Sequence, residues 1–245
     1  MLKSSAIMVG KVFGVIRSSI AISKHRIDVM LEGEVTRYRR FDGENLAREL
    51  DIVGDAYLEL VPMYPVFLPK FITQYILCIF SKPIVLAPHR EARVYMYLPI
   101  DFAVYVRNQT VFEIVDLFSV DPRPKYTLYG PNDQGVVARY CLTSYSFNEP
   151  EPRLGTAVSQ LVIKNSTREF VTVNKVLLDS SPLRLYYKPF TWDAYTQLIV
   201  INITSSTTAT LYYEEPFKAG LVPLNDPPKL RPPKVYNRTE MLWGY

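Results

Sequence analysis

Arg37-Tyr38-Arg39-Arg40-Phe41 interleaves cations with aromatic rings. In an extended backbone Arg37, Arg39 and Phe41 share one face, while Tyr38 and Arg40 share the other. Guanidinium groups hold phosphates and aromatic rings stack on bases, so this run could grip a single-stranded nucleic acid. Lys125, Tyr126 and Tyr129 could extend the same surface. The plainer alternative is an edge strand kept soluble by positive charge. A net charge of +4 is too modest for a broad phosphate footprint.

Carboxylates offer a second chemistry. Asp51, Asp55, Asp101, Glu113 and Asp116 stand among apolar residues. Asp101 and Asp116 stand out, because an inward carboxylate needs a partner. Two such acids in a cleft could run acid–base hydrolysis or isomerisation. Acids at strand ends or facing solvent are the plainer alternative.

Other chemistries lack their residues. The chain has two histidines, His25 and His89. Neither belongs to a Cys-x-x-Cys, His-x-His or His-Glu-x-x-His arrangement, and His89-Arg-Glu91 is a poor fragment of a cupin-type metal site. Both are therefore expected to be lone surface residues. A Gly-x-Ser-x-Gly elbow is absent, and so is a glycine-rich phosphate loop. The expectation is no catalytic residue, no metal and no cofactor. Trp192, in Pro189-Phe190-Thr191-Trp192-Asp193, could serve as a sugar platform or simply cap the end of a sheet.

The elements that must position these residues are strands. Ile27, Val29 and Leu31 alternate with Arg26, Asp28 and Met30, and the same beat of two returns at Tyr57–Leu60, 110–118 and Leu183–Tyr187. Side chains of a strand point to opposite faces in turn, so the class is all-β. Abundant Tyr and Phe suit pleated, half-buried surfaces. The spacing predicts strands over Val35–Phe41, Ala56–Val61, Thr73–Phe80, Ala92–Leu98, Phe102–Val106, 110–118, Val136–Tyr145, Val158–Ile163, Phe170–Leu178, Leu183–Tyr187, Leu198–Ile203 and Thr208–Tyr213. One helical turn is expected at Leu46–Leu50, whose leucines sit four apart. Pro99 breaks the run around it. Residues 121–135 are dense in turn formers, and 147–156 read as a linker.

This layout predicts antiparallel β-sandwich units: one over 12–146, a second over 157–215, and an extended Pro-rich basic tail over 216–245. Leu230, Val235, Tyr236, Leu242 and Trp243 could pin the tail as a strap, or the tail could dock a partner. Cys78 and Cys141 lie in apolar surroundings and are expected to be buried thiols, with a single bridge as the alternative. The longest apolar run, Phe71–Phe80, is too short to span a membrane as a helix. Ala6–Val9 is too short for an export signal, so a cytoplasmic protein is expected. Asn108, Asn165, Asn202 and Asn237 open N-glycosylation patterns that, without export, are read as chance.

Several blocks together resemble the archaeal family DUF432. They are Arg37-Tyr38-Arg39-Arg40, Pro62-x-x-Pro65 with Ile72-Thr73, Phe80-x-x-Pro83-Ile84, Tyr97-Leu98-Pro99-Ile100-Asp101, and Lys125-Tyr126-Thr127-Leu128-Tyr129-Gly130 with Arg139-Tyr140. The resemblance spans roughly residues 13 to 215. It implies an archaeal, intracellular, all-β protein and transfers no functional residue. The leading function is then a non-enzymatic module that binds or scaffolds another protein. The alternatives are a hydrolase or isomerase with carboxylates in a cleft, and a weak binder of single-stranded nucleic acid or carbohydrate.

Overall fold

A computed structural model describes residues 12–109, 111–121, 125–131 and 135–224. Among them every regular element is a strand. In chain order these are β1 Gly14–Ile16, β2 Ile20–Ile22, β3 His25–Glu32, β4 Val35–Asp42, β5 Asn45–Val53, β6 Tyr57–Met63 and β7 Tyr75–Leu86. Next come β8 Glu91–Pro99, β9 Asp101–Arg107, β10 Phe112–Phe118, β11 Tyr126–Tyr129, β12 Val136–Thr143 and β13 Tyr145–Ser146. The last are β14 Thr156–Asn165, β15 Val171–Asp179, β16 Leu185–Tyr187, β17 Ala194–Thr196, β18 Leu198–Ile203, β19 Ala209–Glu214 and β20 Val222–Pro223.

Four sheets result. The first is the antiparallel meander β2-β3-β4-β5. Gly33 and Gly43 take positive φ at two of its three hairpin turns, β3–β4 and β4–β5, a conformation that is costly for residues with a side chain. The stretch expected to be helical at Leu46–Leu50 lies in the first half of β5, paired with β4 on either side of a bulge at Ala47. A spacing of four fits the alternation of a strand as well as the turn of a helix. Cross-strand pairing then decides the outcome.

The second sheet, β1-β6-β9-β10, is also antiparallel. The third, β11-β12-β7-β15, includes a parallel β12–β7 ladder, and its strand β11 falls inside the segment expected to be all turns. Lys82 and Pro83 sit where β7 bulges against β15, a position that tolerates a missing N–H. The fourth sheet is built on β14, which is buried along most of its length. It pairs antiparallel with β8 on one side and parallel with β17 and β18 on the other.

Residues 147–155 join β13 to β14, and two ladders cross that connection. β14 pairs with β8 from Thr156↔Pro99 to Lys164↔Glu91, and β15 pairs with β7. The segments 12–146 and 157–215 therefore share two sheets. All four sheets contribute to one continuous apolar cluster, from Ile22 and Ile27 through Leu60, Phe102 and Phe118 to Leu161 and Ile199. Phe102 stacks on Phe13 and Phe118 with ring centres 5.6 and 5.4 Å away.

The start of the tail lies along the fourth sheet. β20 pairs with β16, Phe217 packs edge-on against Tyr95 and Tyr195, and Lys218 Nζ bonds Glu149 at 2.7 Å. The strap residues Leu230, Val235, Tyr236, Leu242 and Trp243 lie outside the described residues. Asn165 is buried, and its amide donates to the Ala87 and Glu169 carbonyls at 2.9 and 2.8 Å. Its side chain is thus a structural clamp in the folded chain.

Candidate functional site

The β3–β4 hairpin sets the first part of the site. Its register pairs His25 with Asp42, and alternation turns Tyr38 and Arg40 inward while Arg37 and Arg39 face out. Arg37 Nε bonds Asp51 at 2.9 Å and Arg39 Nε bonds Glu49 at 2.6 Å, both on β5. The sequence run of cations is therefore split by the pleat, and its outward half is matched by neighbouring acids.

The inward half meets β10. Against β9, β10 carries one extra residue between Ile114 and Asp116. Asp116 is buried and receives Tyr38 Oη at 2.7 Å and Arg40 Nε at 2.7 Å. Arg40 Nη1 also donates to Asp42. Burial works against the Arg40 charge, but the bonds from Asp116 and Asp42 outweigh it and raise the group above its ordinary value. Burial, reinforced by Asp116, holds the Tyr38 phenol in its protonated form.

His25 is buried rather than a lone surface residue, because both ring nitrogens find partners. Nδ1 lies 2.5 Å from Asp42 Oδ1, and Nε2 lies 3.0 Å from the Ser119 carbonyl oxygen. A carbonyl only accepts, so Nε2 carries a hydrogen. Asp42, His25 and Ser119 are the residue types of a hydrolase triad, yet the arrangement cannot work as one. The imidazole faces the Ser119 main chain, while the Ser119 side chain bonds the Asp101 carboxyl.

Asp101 opens β9 just beyond Pro99 and Ile100, and it is buried. Burial pushes its carboxyl up to about 7, against the opposing pull of Ser119 and the Arg139 charge. Arg139, on β12, is itself among the largest fully buried side chains. Its Nε donates to the Pro65 carbonyl at 3.0 Å and its Nη2 to the Leu68 carbonyl. Burial lowers the Arg139 guanidinium below its ordinary value, and Tyr126 and Asp101 pull it back up. Asp42 moves the other way from Asp101. Partial burial opposes its charge, but bonds from His25 and Arg40 hold its carboxyl below the usual range.

These groups line one cavity of about 290 Å³. Asp42 and Asp101 face it, along with Arg40, His25, Ser119 and Arg139. Leu68, Ile100 and Phe118 supply apolar walls. A small cavity with an apolar body and a few convergent polar groups is the common form of a ligand site.

Of the residues singled out in the sequence, Arg40 and Asp101 line this cavity. Tyr38 stands behind it on Asp116. Tyr126 lies under the Arg139 guanidinium at 4.3 Å from its ring centre, and its hydroxyl donates to the Lys70 carbonyl at 3.0 Å. Tyr129 sits elsewhere, facing Lys175 on β15. Lys125 is exposed beside β11. Trp192 is partly exposed in its loop. Sequence reasoning missed His25, Asp42, Ser119 and Arg139 as site residues. The readable signal was Asp101 and Asp116, acids set among strand hydrophobics.

The fold and cavity define an all-β protein of layered antiparallel and mixed sheets with an ionisable pocket between them. The chain belongs to DUF432, a family of proteins of unknown function, whose model matches residues 12–242. That match runs past residue 215 into the Pro-rich segment. No curated protein matches the chain. No solved structure matches it either. Among the described residues, no helix is long and apolar enough to cross a membrane.

Proposed function

We propose that the protein is an acid–base enzyme, a hydrolase or isomerase, acting on a small polar molecule in the Asp101 cavity. One observation carries this reading: Asp42 and Asp101 face the same cavity from opposite electrostatic settings. Two carboxyls pushed apart in this way divide naturally into an acid and a base. Asp101, protonated near neutrality, donates a proton to a leaving or carbonyl oxygen. Arg139 then offsets the charge left on Asp101. Asp42, held ionised by His25 and Arg40, accepts a proton from water or substrate. His25 orients Asp42 and does no proton transfer through Nε2.

The test is turnover of nitrophenyl esters, nitrophenyl glycosides and aldose–ketose pairs by the full chain and by Asp101→Asn. The expected result is activity on one class, lost at least a hundredfold in the variant, as removal of a general acid implies. Silence across the panel, or activity that Asp101→Asn leaves intact, removes the proposal.

A second reading, a protein-binding module, is supported by β5. This strand is the outer edge of its sheet, and Val53 at its end and Leu31 on β3 are each 75% exposed. A free edge is a template for an added strand. Substituting Val53→Pro, which removes an N–H on the open side of β5, would abolish such pairing while leaving the cavity untouched.

A further inference from the structure

The chain has two cysteines, and the fold sets them on one rung. Cys78 of β7 and Cys141 of β12 are direct partners in the parallel ladder. Both are buried and reduced in this structure. Each thiol lies within electrostatic reach of the other. Neighbouring strands run about 4.8 Å apart, inside the ~4.4–6.8 Å between Cα atoms that a disulfide bridges.

We propose that Cys78 and Cys141 form a redox modification site that closes to an intramolecular disulfide on meeting a small disulfide oxidant such as glutathione disulfide. One thiol loses its proton, and the thiolate attacks a glutathione sulfur. That breaks the S–S bond and releases one glutathione thiolate, which takes up a proton. The second cysteine, deprotonated in turn, attacks the protein sulfur of the mixed disulfide and expels the second glutathione. The protein gives up two electrons and two protons, and one glutathione disulfide becomes two glutathione thiols.

Two features shape the kinetics. The Cys141 side chain and burial push the Cys78 thiol well above its usual value, so the closed protein reacts slowly. Access comes through opening at the β12 side of the sheet, where β11 pairs only with Val136–Arg139 and Cys141 lies beyond that pairing. The clip joins segments far apart in the chain and fixes the strand that carries Arg139. It is independent of the enzymatic reading.

The full chain is incubated with glutathione disulfide, both folded and during refolding, alongside a sample kept under a phosphine reductant. The expected product is a monomer lighter by two hydrogens, with the Cys78 and Cys141 peptides linked before reduction. Its Tm is expected to rise by roughly 5–10 °C over the reduced form. Cys141→Ala loses the link and takes one glutathione instead. Free thiols after refolding in oxidant, or only intermolecular dimers, overturn the proposal. Should Cys141→Ala fail to fold, the peptide map of the unaltered chain decides alone.

Discussion

The Tyr38 hydroxyl donates to Asp116 Oδ2 at 2.7 Å and ties the β2–β5 meander to the sheet that contains β10. Arg40 reaches the same carboxylate from two residues further along β4. One buried acid thus secures the hairpin that supplies Arg40, His25 and Asp42 to the cavity.

Removing that acid strands a buried guanidinium. Asp116→Ala is expected to destabilise the protein by about 3–5 kcal/mol, the range for breaking a buried pair. Tyr38→Phe, which leaves the ion pair in place, is expected to cost about 1–2 kcal/mol. Urea melts of both variants at neutral pH check the order.

The outward arginines behave differently. Arg39 and Glu49 are both partly exposed, so Arg39→Ala is expected to change stability by no more than about 1 kcal/mol. Arg40→Ala is expected to cost several times more. A salt series separates the two, since screening reaches the exposed pair first.

Asp101 makes stability fall with rising pH. Its folded carboxyl titrates at about 7, above the ordinary 3.8, so between these values the folded state holds the extra proton. Stability is full below about pH 4, declines up to about pH 7 by as much as ~4 kcal/mol, and then levels. Asp42 has the opposite sign. Its lowered value gives stability that is present above the ordinary carboxylate range and lost as pH falls through its folded value. Considering these two groups, Tm peaks near pH 4, and Asp101→Asn flattens the limb above it.

Arg139 tunes that titration. Its charge pulls the Asp101 carboxyl down. Arg139→Gln is expected to move Asp101 further up, visible in carbon-detected NMR of labelled aspartate. The same variant weakens the hold on the Pro65 and Leu68 carbonyls. A loss of about 2–3 kcal/mol follows from the buried groups left without partners.

The strands were legible because alternation is local. Pro99 ended a strand as expected. β5 was misread because Leu46 and Leu50 fit both periods. The parallel β7–β12 pairing had no local signature, since the chain runs through four other strands between them. The site was half legible. Asp101 and Asp116 betrayed themselves by their neighbours. His25 and Asp42 meet through hairpin register, which can be read once the turn is fixed at Gly33 and Glu34. Arg139 belonged to a block that suggested the family, but its carbonyl partners lie in a loop no pattern points to.

The crossing of residues 147–155 by two ladders has a consequence for a severed backbone. A protease that nicks the exposed Asn148–Glu151 stretch would leave two fragments still zipped together, with β14 held beside β8 and β15 beside β7. Neither fragment could complete its sheets by itself. The halves would part only when the whole molecule melts, and separately produced halves would have to meet before either could fold.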